Sequence, residues 1–143
     1  QRWQALLEQC SRRKMAIRRT PPRRPTVAGG AAAAREWMQR RTSAVIAHND
    51  LMAMGFMIAV KSVGIDVPRD VSVVGTDNIF MSALVTPALT TVTASRRTQG
   101  SLAFSQLLEQ LRHQHRDIGH LTTTVQMKLV ERESTDRVHS LRR

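Results

Sequence analysis

A chain of 143 residues with 41% hydrophobic content is long enough and apolar enough for one domain with its own core, which excludes a disordered polypeptide. No apolar run reaches the roughly eighteen residues of a membrane-spanning helix, and a lone cysteine, Cys10, excludes an intrachain disulfide and suits a reducing cytoplasm. The formal net charge of +11 raises a nucleic-acid reading, but it is concentrated: residues 1–43 hold eleven Lys/Arg against Glu8 and Glu36, whereas residues 44–143 carry a net of only +2.

Gln1 opens a polar stretch with no apolar segment behind it, so no secretory leader is expected. Without an initiator Met, the chain reads as a fragment or a processed product. Trp3, Leu6 and Leu7 share one face of a short helix. From Ser11 to Gly30 the sequence turns to Arg, Pro and Gly and reads as loop, or as a strand and loop of unusual composition. Its basic part, Ser11 to Pro25, could touch phosphates. No aromatic stands between Trp3 and Trp37 to stack on bases, however, and such a run is usually a solvated face. Ala31 to Arg40 predicts a helix by propensity.

An orderly pattern begins at residue 43. Ala44-Val45-Ile46-Ala47 predicts a short strand buried on both faces. Asn49 or Asp50 can cap the following helix, which runs to about Val63 and ends at Gly64 in the C′ role. Val67 to Asp70 is a turn, and Val71 to Gly75 a second buried strand. Thr90 to Thr93 predicts a third strand or a crossover segment. Ser95 to about His113 predicts an amphipathic helix bearing Leu102, Phe104, Leu107, Leu108 and Leu111. Thr123 to Val130 alternates as a half-buried or edge strand does. Strand alternating with helix predicts an α/β fold, a parallel sheet with crossover helices. Ligands of such sheets bind beyond the carboxyl ends of the strands, which points to His48, Asn49, Asp50, Thr76, Asp77 and Asn78.

Five segments occur in the order and spacing of one family: SAVIAHNDLMAMG (43–55), VGIDVPRDVSVVGTDN (63–78), TPALTTV (86–92), GSLAFSQLL (100–108) and KLVERESTDRV (128–138). Over these roughly 95 residues the chain resembles the C-terminal part of LacI-type repressors, which have the type-I periplasmic-binding-protein fold. QRWQALLE (1–8) is similar to the family's helix that begins with an arginine, and AGGAAAAREW (28–37) to its Gly-started helix. Between them the family has a strand and an effector-contacting aromatic, where this chain has SRRKMAIRRTPPRRP.

The resemblance implies a regulator with two lobes that close over a small effector, a sugar, nucleoside or purine, and no catalysis, cofactor or membrane contact. Residues 43–93 and 122–138 would form the second lobe, residues 95–113 the helix returning to the first lobe, and residues 1–42 an atypical basic part. The DNA-binding headpiece and most of the first lobe would lie outside this chain, so operator DNA would be met only through that headpiece. A periplasmic sugar-binding protein of the same fold is the alternative, which fold analogy alone does not separate.

By the same resemblance, Asp77 aligns with a position that hydrogen-bonds effector hydroxyls or ring nitrogens, as a forked acceptor suits. A cap for the short helix after Asn78 is its structural alternative. Asn49 aligns with a sugar-contacting amide and can equally be a helix cap. Asp50 is assigned to capping and structure. Arg2 aligns with an effector-binding arginine, and His48 leaves the same strand end as Asn49. Ala94 stands where the family often has a polar contact. The homodimer interface would take Met54, Met57, Met81 and Val85, for which core packing is the alternative. His113, His115 and His120 near Asp117 lack the spacing of a metal site, and neither a phosphate-binding glycine loop nor a nucleophile elbow is present.

Overall fold

The computed structural model describes residues 2–112 and 123–137. Helix α1 spans Arg2–Arg12 and α2 Val27–Gln39; strand β1 spans Ala44–Ile46, α3 Asp50–Lys61 and β2 Ser72–Thr76. After a single 3-10 turn at Phe80–Ala83 come β3 (Thr90–Thr93), α4 (Arg96–Arg112) and β4 (Lys128–Val130). The strands form one sheet in the order β1-β2-β3-β4. β1, β2 and β3 are parallel and β4 is antiparallel to β3, with Val45 opposite Val73, Gly75 opposite Thr91 and Val92 opposite Leu129. The carboxyl ends of the three parallel strands therefore lie together, bringing His48, Asp77 and Ala94 to one edge of the sheet.

Local chemistry accounts for most boundaries. Thr26 caps α2, accepting the Gly29 amide at 3.1 Å, so this helix starts four residues before the expected Ala31. Asn49 caps α3, accepting the Met52 amide at 2.9 Å. Gly64 takes a φ of +78° just beyond α3, the left-handed conformation that favours glycine. No strand forms among residues 13–26.

The core lies between the α2–α3 pair and the sheet. It contains Ala34, Trp37, Ala53, Met54, Phe56, Met57, Val60, Ile65, Val71, Val73 and Leu89, with Trp37 edge-on to Phe56 at 5.3 Å. α2 and α3 touch backbone to backbone because Gly30 faces the Met52 carbonyl and Gly55 the Val27 carbonyl; a Cβ at either glycine would overlap that carbonyl.

Three expectations change. Among the described residues β1 is an edge strand, paired only with β2, and Ile46 is 54% exposed rather than buried on both faces. The strand expected over Thr123 to Val130 contracts to its last three residues. α4 forms as expected but buries none of its residues within the described chain.

The chain after β4 closes the fold by polar means. Ser134 is fully buried: its hydroxyl donates to the Val73 carbonyl at 2.6 Å and accepts the Thr90 amide at 2.8 Å. The Glu133 carboxylate accepts the Ala88 amide at 2.9 Å. One short segment thus ties the starts of β2 and β3 together.

Candidate functional site

The backbone that leaves β2 is unusual. Asp77 has φ +109° and Asn78 φ +49°, both in the left-handed region that non-glycine residues occupy at a cost of order 1–3 kcal/mol. Three contacts hold Asp77 there: its amide donates to Val92 at 2.9 Å, its carbonyl accepts Arg96 Nη2 at 3.1 Å, and Asn78 behind it is bound by Arg132. The Asp77 side chain is exposed, and among the described residues nothing hydrogen-bonds its carboxylate. It does not cap the 3-10 turn, whose N-cap position is Ile79, without a side-chain bond.

Beneath this turn lies a buried carboxylate. Asp50 is fully buried at the start of α3, where its Oδ1 accepts the Thr91 hydroxyl at 2.6 Å and its Oδ2 the Ile79 amide at 2.9 Å. It thereby joins α3, the segment after β2 and strand β3. Gly75 makes the approach feasible, since a Cβ there would overlap Asp50 Oδ1. Arg132 adds a second clamp, with Nη1 on the Leu89 carbonyl and Nη2 on Asn78 Oδ1, both at 2.7 Å.

At the end of β1, Arg2 Nη1 donates to the His48 carbonyl at 2.8 Å, so two residues 46 positions apart meet beside the strand ends. Both are exposed. Asn49 is differently placed: besides its cap, its Nδ2 donates to the Pro25 carbonyl at 3.1 Å. Its amide is thus used on both sides by the fold. Arg2, His48 and Asp77 share the strand-end edge, with Asn49 serving as their structural neighbour. Arg96 joins them through the Asp77 carbonyl, and neither it nor Arg132 was singled out from the sequence. A basic residue three positions past a strand end was the available signal for Arg96; nothing local marked Arg132.

The expected interface residues lie elsewhere. Met54 and Met57 belong to the core, 5% and 6% exposed, yet they also floor a groove of about 420 Å³ bordered by Ile58, Ile65, Val85 and Pro87. Met81 does not line the groove; it is half exposed on the 3-10 turn that also carries the exposed Phe80, and its carbonyl accepts the Val85 amide at 3.2 Å. Among the described residues no cluster of His, Cys, Asp or Glu could hold a metal ion, and no helix is long and apolar enough to cross a membrane. His113, His115, Asp117 and His120 lie outside the described residues.

Residues 1–135 match the model of the periplasmic binding protein-like domain. The chain belongs to this family. The HTH-type transcriptional repressor PurR of Proteus mirabilis is 42% identical over 96 residues, covering 67% of this chain and 28% of the repressor. A LacI family transcriptional regulator from Enterococcus faecalis, solved with bound ribose, superposes with a TM-score of 0.76 at 28% identity over 96% of this chain and 50% of that one. A LacI family regulator from Arthrobacter, in complex with lactose, gives a TM-score of 0.69 at 32% identity over 78% of this chain and 42% of its own. The chain thus spans little more than a quarter of the repressor's length and about half of the solved domains. What it shares with them is the effector-binding region of LacI-type regulators, in an α/β fold with a parallel sheet.

Proposed function

We propose that this chain is the effector-sensing and dimer-forming part of a LacI-type transcription regulator, without catalytic activity. The observation that carries this reading is Asp77: a strained, outward carboxylate at a parallel strand end, its turn buttressed by Asp50 and Arg132 and unbonded among the described residues. A preformed acceptor of this kind suits a hydroxylated sugar, a nucleoside or a purine, and the ribose- and lactose-bound relatives support the sugar among these. Arg2 and His48 flank it, and Asn49 positions the strand end. Residues 43–93 and 122–138 would act as one lobe, with residues 95–113 reaching toward the other. Effector binding would shift the balance between lobe arrangements and so alter operator affinity by the coupling free energy.

The groove floored by Met54 and Met57, with Val85 at its border and Met81 on the neighbouring turn, supports a homodimer through this face. The repressor relatives favour the regulator over a transport-linked sugar-binding protein.

Titration calorimetry with ribose, lactose and purine bases tests the sensing role. One of them is expected to bind the chain, and Asp77→Asn to weaken that ligand by about tenfold or more, the loss of one charge-assisted hydrogen bond. Equal binding by Asp77→Asn would remove Asp77 from the site, and no binding by any of these ligands would overturn the sensing role of this chain. Light scattering reads the assembly separately: a monomer at micromolar concentration would overturn the dimer.

A further inference from the structure

The basic run between α1 and α2 forms neither helix nor strand, yet both of its ends are fixed. The Arg13 and Met15 amides donate to the Cys10 carbonyl at 3.1 and 2.9 Å, and the Pro25 carbonyl accepts Asn49 Nδ2. Counting Arg12, the last residue of α1, the strap to Arg24 carries seven Lys/Arg and no acid. The fold neutralises one of these charges, pairing Arg23 with Glu36 at 3.2 Å; Arg13 donates to the neutral Gln9 side chain and Arg19 lies 5.5 Å from the Trp3 ring centre, and both keep their charge. Arg12, Lys14 and Arg24 are exposed and make no ion pair among the described residues. Arg18 Nη2 is covered without a hydrogen-bond partner, so its charge is also left unneutralised there. The strap ends where α2 and α3 begin side by side, as the Pro25–Asn49 bond shows, and the positive ends of two helices add to its field.

We propose that this strap binds the phosphates of duplex DNA without reading sequence. Duplex DNA presents one charge per about 1.7 Å of axis, and neutralising it releases condensed counterions, which suits exposed Arg and Lys with no need of shape or bases. The strap has no aromatic for stacking on single-stranded bases, and a non-helical segment offers no apolar face for insertion into a lipid surface. The inference is independent of effector sensing, because it uses none of the strand-end residues.

Fluorescence anisotropy of the full chain with a labelled duplex of arbitrary sequence, titrated with KCl, tests it. Five exposed cations without an acidic partner among the described residues (Arg12, Arg13, Lys14, Arg19 and Arg24) predict a slope of log Kobs against log salt of about −4 to −5, with scrambled duplexes binding equally. Arg12→Ser, Lys14→Ser and Arg24→Ser combined should weaken binding at least about tenfold at low salt and reduce the slope by nearly 3. Arg12→Lys with Arg24→Lys, which keeps the charge, should retain binding. A slope near zero for the unaltered chain overturns the proposal whether or not the triple variant folds. So does unchanged binding by the triple variant, or binding to phosphatidylserine vesicles with none to the duplex.

Discussion

The Thr91 hydroxyl donates to Asp50 Oδ1 at 2.6 Å across 41 residues, so the first residue of α3 is locked onto the middle of β3. The other carboxylate oxygen holds the Ile79 amide, and both partners lose water when the bonds form. Asp50→Ala should therefore destabilise the domain by about 3 kcal/mol, because it leaves a buried hydroxyl and an amide unsatisfied. Asp50→Asn can still accept from Ile79 and donate to Thr91, and should cost about 1 kcal/mol. Gly75→Ala should resemble Asp50→Ala, since its methyl displaces the carboxylate. Chemical denaturation read by tryptophan fluorescence orders the three; an Asp50→Ala midpoint equal to the parent would refute the clamp.

The α2–α3 contact makes a prediction that runs against helix propensity. Alanine in a helix ordinarily gains up to about 1 kcal/mol over glycine. Gly30→Ala and Gly55→Ala should instead each lose about 2 kcal/mol, because the methyl meets a backbone carbonyl that cannot swing aside. Gly100→Ala, in α4 with nothing within 4 Å, should show the ordinary gain. Thermal melts of the three variants suffice, and a gain at Gly30 or Gly55 would contradict the close approach.

Arg132 spans three acceptors on two segments, a geometry that a lysine cannot reproduce. Arg132→Lys and Arg132→Met should both destabilise the fold, by about 1–3 kcal/mol. Both should also loosen Asp77, which rests on Asn78. Amide hydrogen exchange at residues 77–79 should rise in either variant while that of Val60 changes little; uniform exchange would argue against a local role.

Asp70 supplies the pH dependence. Its carboxylate accepts the Asp66 amide and pairs with Arg69, and together these hold its pKa below the ordinary 3.8. A depressed pKa stabilises the fold above the ordinary value, and that contribution disappears as pH falls through the lower, folded value. The turn at Val67 to Asp70 should therefore loosen only in acid, and Asp70→Asn should remove this part of the pH dependence. Carboxyl NMR titration reads it directly: a midpoint at or above 3.8 would refute it.

Phe104, Leu107, Leu108 and Leu111 recur at helical spacing on α4, between 36% and 61% exposed. So many apolar side chains at one helical spacing should bind a hydrophobic dye and promote concentration-dependent association. Phe104→Lys with Leu111→Lys should lower both signals. If dye binding persists unchanged, the exposed surface lies elsewhere, for instance at Phe80 and Leu84.

The features legible in the sequence were those that depend on neighbours in the chain. The Asn49 cap, the stop at Gly64, the three parallel strands and the strand-end position of Asp77 follow from spacing, propensity and an acceptor within three residues of its donor. The resemblance over residues 43–138 supplied the family, which the match over residues 1–135 bears out. Even so, the chain alone extends the last strand back to Thr123 where only Lys128–Val130 forms it, and misplaces the start of α2, because its cap, Thr26, sits inside a run of Arg and Pro.

Tertiary structure decided whatever rests on partners distant in sequence. Ile46 is exposed because it shares with its partner Val74 the less covered face of the sheet, and which face is covered is a long-range property that an apolar tetrapeptide does not encode. Met54 and Met57 are core residues that also floor a groove, a double role invisible to helical periodicity. Asp50 becomes a buried clamp only when Thr91 and Ile79 arrive, and Arg132 becomes one only when Asn78 lies 54 residues behind it. A charged side chain reads as solvated until the fold brings enough hydrogen-bond partners to replace its water, and that exchange happens between elements, not within them.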